Sequence, residues 1–219
     1  MPYFNIVAET SENTVVTEYE PVKKRSDSYQ SEAELELEFI RLLCEQGYEY
    51  LPIHTEKDLI ANLRKRLEEL NNYQFSDTEW DVFFKNAIAN PNEHIVEKTR
   101  KIQEDNIQVL TRDDGSSKNI TLIDKKNIHN NRLQVINQYK VNAATDSSKD
   151  SLGCVIGTEN SAKYNNRYDV TVLVNGLPLI HIELKRRGVA IREAFNQINR
   201  YQRDSFWAGY GLYEYVQIF

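Results

Sequence analysis

Residues 167–185 restrict the fold of this chain more than any other segment. Two apolar runs, RYDVTVLV and LIHIELK, lie either side of Asn175-Gly176. That dipeptide is the strongest short signal for a β-hairpin, because both residues tolerate the positive φ a two-residue turn needs. The second run is apolar enough to be central in a sheet. The 219-residue length leaves room for one domain around such a sheet, or at most two small ones.

The remaining elements follow from periodicity and punctuation. Residues 1–30 read as a partly ordered arm with a strand-like run at 14–19. Ser31-Glu32-Ala33-Glu34 is a capping box that opens a helix to about residue 46, with Leu35, Phe39, Leu42 and Leu43 on one face and Gly47 as the stop. A short strand is expected at 48–53. Leu59, Ile60, Leu63, Leu67 and Leu70 mark a second helix closed by Asn71-Asn72. Ser76-Asp77-Thr78-Glu79 opens a third, which ends before Asn90-Pro91, and a shorter helix is expected at 93–101. Beyond residue 105 the period shifts. Runs at 106–111 and 119–124, joined through Asp113-Asp114-Gly115, read as strands, as does 132–139. Residues 142–166 are rich in Ser, Asp, Asn and Gly and read as a mobile loop. Gly188 precedes a helix over 189–203 with Ile191, Ala194, Phe195 and Ile198 inward, and 212–219 reads as a final strand. That run stops without a polar tail, so the chain is expected to be a fragment of a longer polypeptide, with its domain spanning 31–219.

Several classes are excluded early. No stretch approaches the ~20 apolar residues of a membrane helix, and the N-terminus lacks the pattern of a secretory signal. Cys44 and Cys154 form no CxxC, and His54, His94, His129 and His181 show no zinc spacing. A reducing cytoplasm is the simplest compartment. None of the eight glycines belongs to a phosphate-binding GxxxxGK[ST] loop, so this chain is not expected to bind ATP.

The chemistry-bearing residues are Asp169, Glu183, Leu184, Lys185, Gln197 and Tyr201. Phosphodiester cleavage commonly uses two carboxylates to hold Mg²⁺, an oxygen-seeking cation that polarises phosphate and acidifies water. A nearby ammonium orients that water and offsets developing charge. Glu183 and Lys185 are two apart on a strand and share a face. Leu184 points into the core and can offer its backbone carbonyl as a further ligand. Asp169, on the partner strand, supplies the second carboxylate. The turn length then matters. A plain two-residue loop pairs 174 with 177, sets Asp169 against Ile182, and leaves the two acids on opposite faces. A common site therefore predicts a three-residue loop, a bulge or a bend. Gln197 and Tyr201 sit one above the other on the last helix. An ordinary polar strand face and a boundary pair on an amphipathic helix would look the same from spacing alone.

Net charge is −6, which by itself argues against a nucleic-acid partner. Its distribution does not. Residues 160–204 carry eight basic and four acidic side chains, whereas residues 1–159 carry 19 basic and 28 acidic ones. Arg186, Arg187, Arg192, Arg200 and Arg203 cluster around the candidate site and suit phosphate contact.

The run RYDVTVLVNGLPLIHIELKRRGVAIREAFNQINRYQRDSF closely resembles the nuclease motif region of the restriction (R) subunit of type I restriction–modification enzymes. SEAELELEFIRLLCEQGYEYL, EKTRKIQEDN and NITLIDKKN also look like that family's N-terminal region. The resemblance covers roughly 28–141 and 164–219, while 142–163 is longer than the family pattern suggests. It implies the α/β PD-(D/E)XK restriction-endonuclease-like fold, a central mixed β-sheet flanked by α-helices. It also implies that Asp169 and Glu183 are metal-binding catalytic carboxylates, Lys185 the catalytic lysine, and Gln197 and Tyr201 a Q-x-x-x-Y motif. A first-helix glutamate often completes such sites; Glu36 fits best and Glu32 less well, and a plain surface carboxylate fits either. The implied activity is Mg²⁺-dependent cleavage of duplex DNA beside modification and specificity subunits, with ATP-driven translocation supplied by a part of the subunit outside this chain. The alternatives are a catalytically silent DNA-binding or subunit-docking module and a related repair-type nuclease.

Overall fold

The computed structural model describes residues 4–9, 15–19, 31–141, 166–186, 188–201 and 211–219. The arm contributes β1 (Phe4–Glu9) and β2 (Val15–Tyr19), an antiparallel pair. The second was expected and the first was not. Helix α1 (Glu32–Glu45) opens on Ser31, whose hydroxyl accepts from the Glu34 N–H while the Glu34 carboxylate takes the Ser31 N–H. Strand β3 (Glu49–Tyr50) is shorter than the residues suggest. Pro52 has no N–H to donate, so pairing stops there. Helix α2 (Glu56–Asn71) ends on Asn72 in the left-handed conformation. Helix α3 (Asp77–Phe83) starts in its capping box and continues into a π-helical turn, Phe84–Ile88. Helix α4 (Ile95–Gln103) begins where the Glu97 carboxylate accepts the His94 N–H. Strands β4 (Ile107–Thr111) and β5 (Ser117–Thr121) form the expected hairpin.

The central sheet adds β6 (Leu133–Val141), β7 (Asn166–Val174) and β8 (Leu177–Ile182), in the order β3-β6-β7-β8. β3 runs parallel to β6, and the other pairs are antiparallel, so the protein is α/β with a mixed sheet. Both faces are covered. On one, Ile40 of α1 packs on Val135 and Val170, with Phe39, Leu43, Ile182 and Leu184 around them. On the other, Ile136, Leu173 and Leu177 meet Leu59, Leu63 and Leu67 of α2 together with Phe75, Trp80 and Phe83. Burial on two faces explains why these strands read as near-continuous apolar runs. The buried seam of α1 runs through Glu36 and Ile40, whereas Leu42, expected inside, is 41% exposed. Hydrogen bonds to Glu36 from the sheet turn the helix that way.

The hairpin between β7 and β8 keeps its two-residue turn and resolves the register with a bulge. Asn175 and Gly176 both have positive φ, 51° and 85°. Val174 pairs with Leu177 and Leu173 with Pro178; then Val172 pairs with Ile180, Thr171 with His181 and Val170 with Ile182. Leu179 is the extra residue. Pro178 cannot donate to a ladder, and bulges are among the few sheet positions where proline is tolerated. The turn also packs tightly: a Cβ on Gly176 would lie 2.6 Å from Leu63 Cα. Gly176→Ala is therefore expected to lower stability by about 2 kcal/mol or more, from clash and disfavoured φ together. Denaturant unfolding of the two proteins measures it, and an unchanged midpoint would contradict this packing.

Two further expectations are corrected. The strand 179–185 ends at Ile182, so Glu183, Leu184 and Lys185 lie just past the paired region. The run 212–219 is not a strand. Leu212–Tyr215 is a 3-10 turn that buries four consecutive residues, which strand alternation cannot do, and only Ile218 bridges β8, at Ile180. Helix α5 (Ile191–Tyr201) starts later than expected, and Ile191 is exposed rather than inward. Its expected end at 203 and the proposed loop at 142–166, apart from Asn166 in β7, lie outside the described residues.

Candidate active site

The bulge brings the two acids together. In the register beyond Leu179, Asp169 falls opposite Glu183. Asp169 Oδ2 accepts from the Leu184 N–H at 3.0 Å. Lys185 Nζ donates to Glu183 Oε1 at 2.7 Å. Leu184 points away and packs beside Ile182 on the α1 side, so its backbone, not its side chain, belongs to the site. The Glu183 side chain is 0% exposed. Its Oε2 is buried without a hydrogen-bond partner among the described residues and lies 3.6 Å from His181 Nε2.

The electrostatics of this pair are unequal. Burial pushes the Asp169 carboxyl up to about 6, and the Glu183 charge adds to it against the Leu184 N–H. Burial also pushes Glu183 up, but the nearby His181 ring and the Lys185 hydrogen bond and charge outweigh it, and Glu183 stays below its ordinary value. Burial pulls Lys185 down, but the Glu183 hydrogen bond and charge, helped by Asp169 and Glu32, hold it above the usual lysine value. A buried carboxylate oxygen without a donor is costly unless something cationic meets it. Two adjacent carboxylates with one such oxygen fit a hard divalent cation. Among the described residues, no three His, Cys, Asp or Glu side chains converge on one point, so carboxylates alone do not complete a cage.

The other candidate residues divide into groups. Gln197 donates to the Tyr201 hydroxyl, and that hydroxyl donates to the Arg167 carbonyl at 3.1 Å. Tyr201 is buried, edge-on to Tyr168 and His181, so the pair reaches beneath the site rather than over it. Burial raises the Tyr201 phenol, against the Gln197 hydrogen bond. Glu32 accepts the Arg186 N–H at 3.3 Å and so lies against Lys185-Arg186. Glu36 is buried, and its oxygens accept from the Asn137 and Gln138 amides on β6. Arg186, Arg192 and Arg200 are exposed, with the Arg200 guanidinium 5.4 Å over the Tyr201 ring. Arg187 and Arg203 lie outside the described residues. A cavity of about 830 Å³ opens at the other end of the sheet, lined by residues such as Arg66, Arg132 and Val174, and contains none of these groups.

His181 was not among the candidates. In an apolar run it reads as a core residue, yet it stands two before Glu183 and therefore on its face, which is the signal that could have found it.

This mixed-sheet α/β chain carries an acid pair and a lysine at the end of the β7–β8 hairpin, whose second strand lies at the edge of the sheet rather than at its centre as its apolar run suggests; it belongs to the family of type I restriction enzyme R protein N-termini, whose model matches residues 29–219. It is 44% identical over 214 residues to the EcoprrI type I restriction enzyme endonuclease subunit of Escherichia coli, an overlap of 97% of this chain and 62% of that one. It is 35% identical over 196 residues to a type I restriction enzyme endonuclease subunit of Staphylococcus saprophyticus, over 87% of this chain and 18% of that one. A Staphylococcus aureus counterpart is also 35% identical, over 197 residues, with 88% and 18% covered. The chain thus spans about three-fifths of the first relative and under a fifth of the others.

Proposed function

We propose that residues 31–219 form a PD-(D/E)XK nuclease domain that cuts duplex DNA in a Mg²⁺-dependent reaction. The observation that carries this reading is the Asp169–Glu183 pair, with Lys185 on one Glu183 oxygen and the other oxygen buried, making no hydrogen bond and approached by His181 at 3.6 Å. Asp169, Glu183 and the Leu184 backbone carbonyl would hold the cation. When bound, Mg²⁺ would polarise the scissile phosphate and acidify the attacking water. Lys185, kept protonated by its neighbours, orients that water and offsets charge on the phosphate. The Leu184 N–H fixes Asp169, and the Lys185 ammonium fixes Glu183, so neither carboxylate needs to reorganise. Gln197 and Tyr201 brace β7 through the Arg167 carbonyl. Arg186, Arg187, Arg192, Arg200 and Arg203 supply sequence-independent phosphate contacts. Modification and specificity subunits would read sequence, ATP would drive translocation elsewhere in the subunit, and the assembly would work in the cytoplasm. No helix among the described residues is long and apolar enough to cross a membrane.

The test separates cleavage from movement. In the full-length subunit within its complex, Asp169→Ala and Lys185→Ala are expected to lose DNA cleavage and keep ATP-driven translocation. If both variants still cut, the nuclease assignment is wrong and a docking module is the better reading.

A further inference from the structure

We infer that the outer edge of β4 pairs with the same edge of a second copy of this chain, joining two β4–β5 hairpins into one four-stranded sheet. The surface lies apart from Asp169 and Glu183, and its role does not depend on the cation reading.

The register of the hairpin decides which backbone groups are used. Ile107 pairs with Thr121, Val109 with Asn119 and Thr111 with Ser117, without a bulge. Just outside those pairs, the Leu122 N–H donates to the Asn106 carbonyl and the Arg112 N–H to the Ser116 carbonyl. Bonded and non-bonded pairs alternate along an antiparallel ladder. The even-numbered residues of β4 therefore bond to β5, and the N–H and C=O groups of Ile107, Val109 and Thr111 face the other way. None of these outward groups has a hydrogen-bond partner among the described residues. The opposite edge of the hairpin is engaged: the Thr121 N–H donates to Asn71 Oδ1 at 2.7 Å, and the Thr121 carbonyl accepts from Asn71 Nδ2 at 2.9 Å.

The side chains point the same way. β4 buries Leu110 and turns Ile107, Val109 and Thr111 to solvent, with Ile107 46% and Val109 62% exposed. Edge strands are normally blunted by a charge, a proline, a bulge or a covering segment. The run IQVLT has no charge and no proline, and its register is unbroken. An apolar edge with unused backbone groups is a template for another strand.

This edge fits a copy of itself. With Val109 of the two chains opposed in antiparallel alignment, Ile107 of each chain lies opposite Thr111 of the other. Every outward N–H and C=O along the strand then meets its complement, and the two Val109 side chains meet on one face, flanked by Ile107 and Thr111. The operation is a two-fold rotation, so it closes on two chains and leaves no β4 edge open. So short an edge buries less than the ~1,200–2,000 Å² of a standard stable interface, so the association is weak, half complete near roughly 100 μM.

Sedimentation velocity on the 219-residue chain in reducing buffer, from about 5 μM to about 1 mM, tests this. Wild type should pass from monomer to dimer and stop there. Val109→Lys opposes two ammonium groups, and Val109→Pro removes an outward N–H that β5 does not use; both should stay monomeric over the whole range. If Val109→Pro melts early, Val109→Lys alone decides. Val109→Cys, in a chain with Cys44→Ser and Cys154→Ser, sets two Cα atoms about 5.5 Å apart and should oxidise to a linked dimer. Asn119→Cys in the same background lies about three strand spacings from its mate and should not. A wild type that stays monomeric overturns the inference. So does a dimer untouched by Val109→Lys, growth beyond two chains, or equal cross-linking at positions 109 and 119.

Discussion

Asp169→Asn is expected to abolish DNA cleavage and at the same time make the metal-free protein more stable. The carboxyl sits at about 6 in the fold against an ordinary 3.8, because burial and the Glu183 charge both oppose its ionisation. The sign follows from proton counting. Below 3.8 both folded and unfolded chains hold the proton. Between 3.8 and 6 only the folded chain holds it, so stability falls as pH rises through that window and stays lower above it. Because the group is only partly buried and solvent screens part of the effect, the difference corresponds to roughly 1–2 kcal/mol at neutral pH. Asparagine can keep an acceptor for the Leu184 N–H and carries no charge to bury. The variant's midpoint at pH 7.5 in chelator should therefore rise by roughly 5 °C, a gain that shrinks as pH falls toward 4. Mg²⁺ should stabilise wild type by mass action and leave the variant unmoved. Cleavage in the complete enzyme should drop at least about 10²–10³-fold. A variant that melts lower than wild type at every pH would show that Asp169 is held for structure rather than poised for a cation.

The second large effect is purely structural. Lys98 on α4 and Glu214 in the C-terminal 3-10 turn form an ion pair at 0% and 1% side-chain exposure, and the ammonium also lies 5.8 Å over the Tyr215 ring. Breaking such a pair from one side strands an unpaired charge in the interior. Glu214→Gln is expected to cost about 3–5 kcal/mol, whereas Lys98→Met with Glu214→Leu should recover most of that loss or exceed wild type. Urea unfolding of the three proteins decides it, and a Glu214→Gln midpoint equal to wild type would rule out a dry pair.

How much of this could be read from residues alone depended on whether the signal was local. Ser31 and Ser76 cap their helices as their boxes dictate, because capping needs only four consecutive residues. Asn175-Gly176 makes its turn for the same reason. The bulge was legible as a requirement, since two acids on one face need an odd insertion, and Pro178 marks where it falls. The tail 212–219 was misread because LYEYVQIF suits a strand or a turn equally well. What decides is Lys98, 116 residues upstream, which draws Glu214 into the core. The left-handed backbone of Gln138, at φ 52°, was invisible in sequence, because nothing in NQY announces it. Glu36 was picked out by position in the first helix, but its partners lie about a hundred residues on, at Asn137 and Gln138.

Leu179 bears no chemistry, yet the site depends on its being counted. Removing one residue between Val174 and Glu183 would turn the glutamate through to the opposite side of the sheet, with every reactive group still present in the chain. Removing or adding two would return it. Length changes in this hairpin are therefore tolerable only in even steps, and homologues that keep the acids should differ there by even numbers of residues, or else carry a compensating kink.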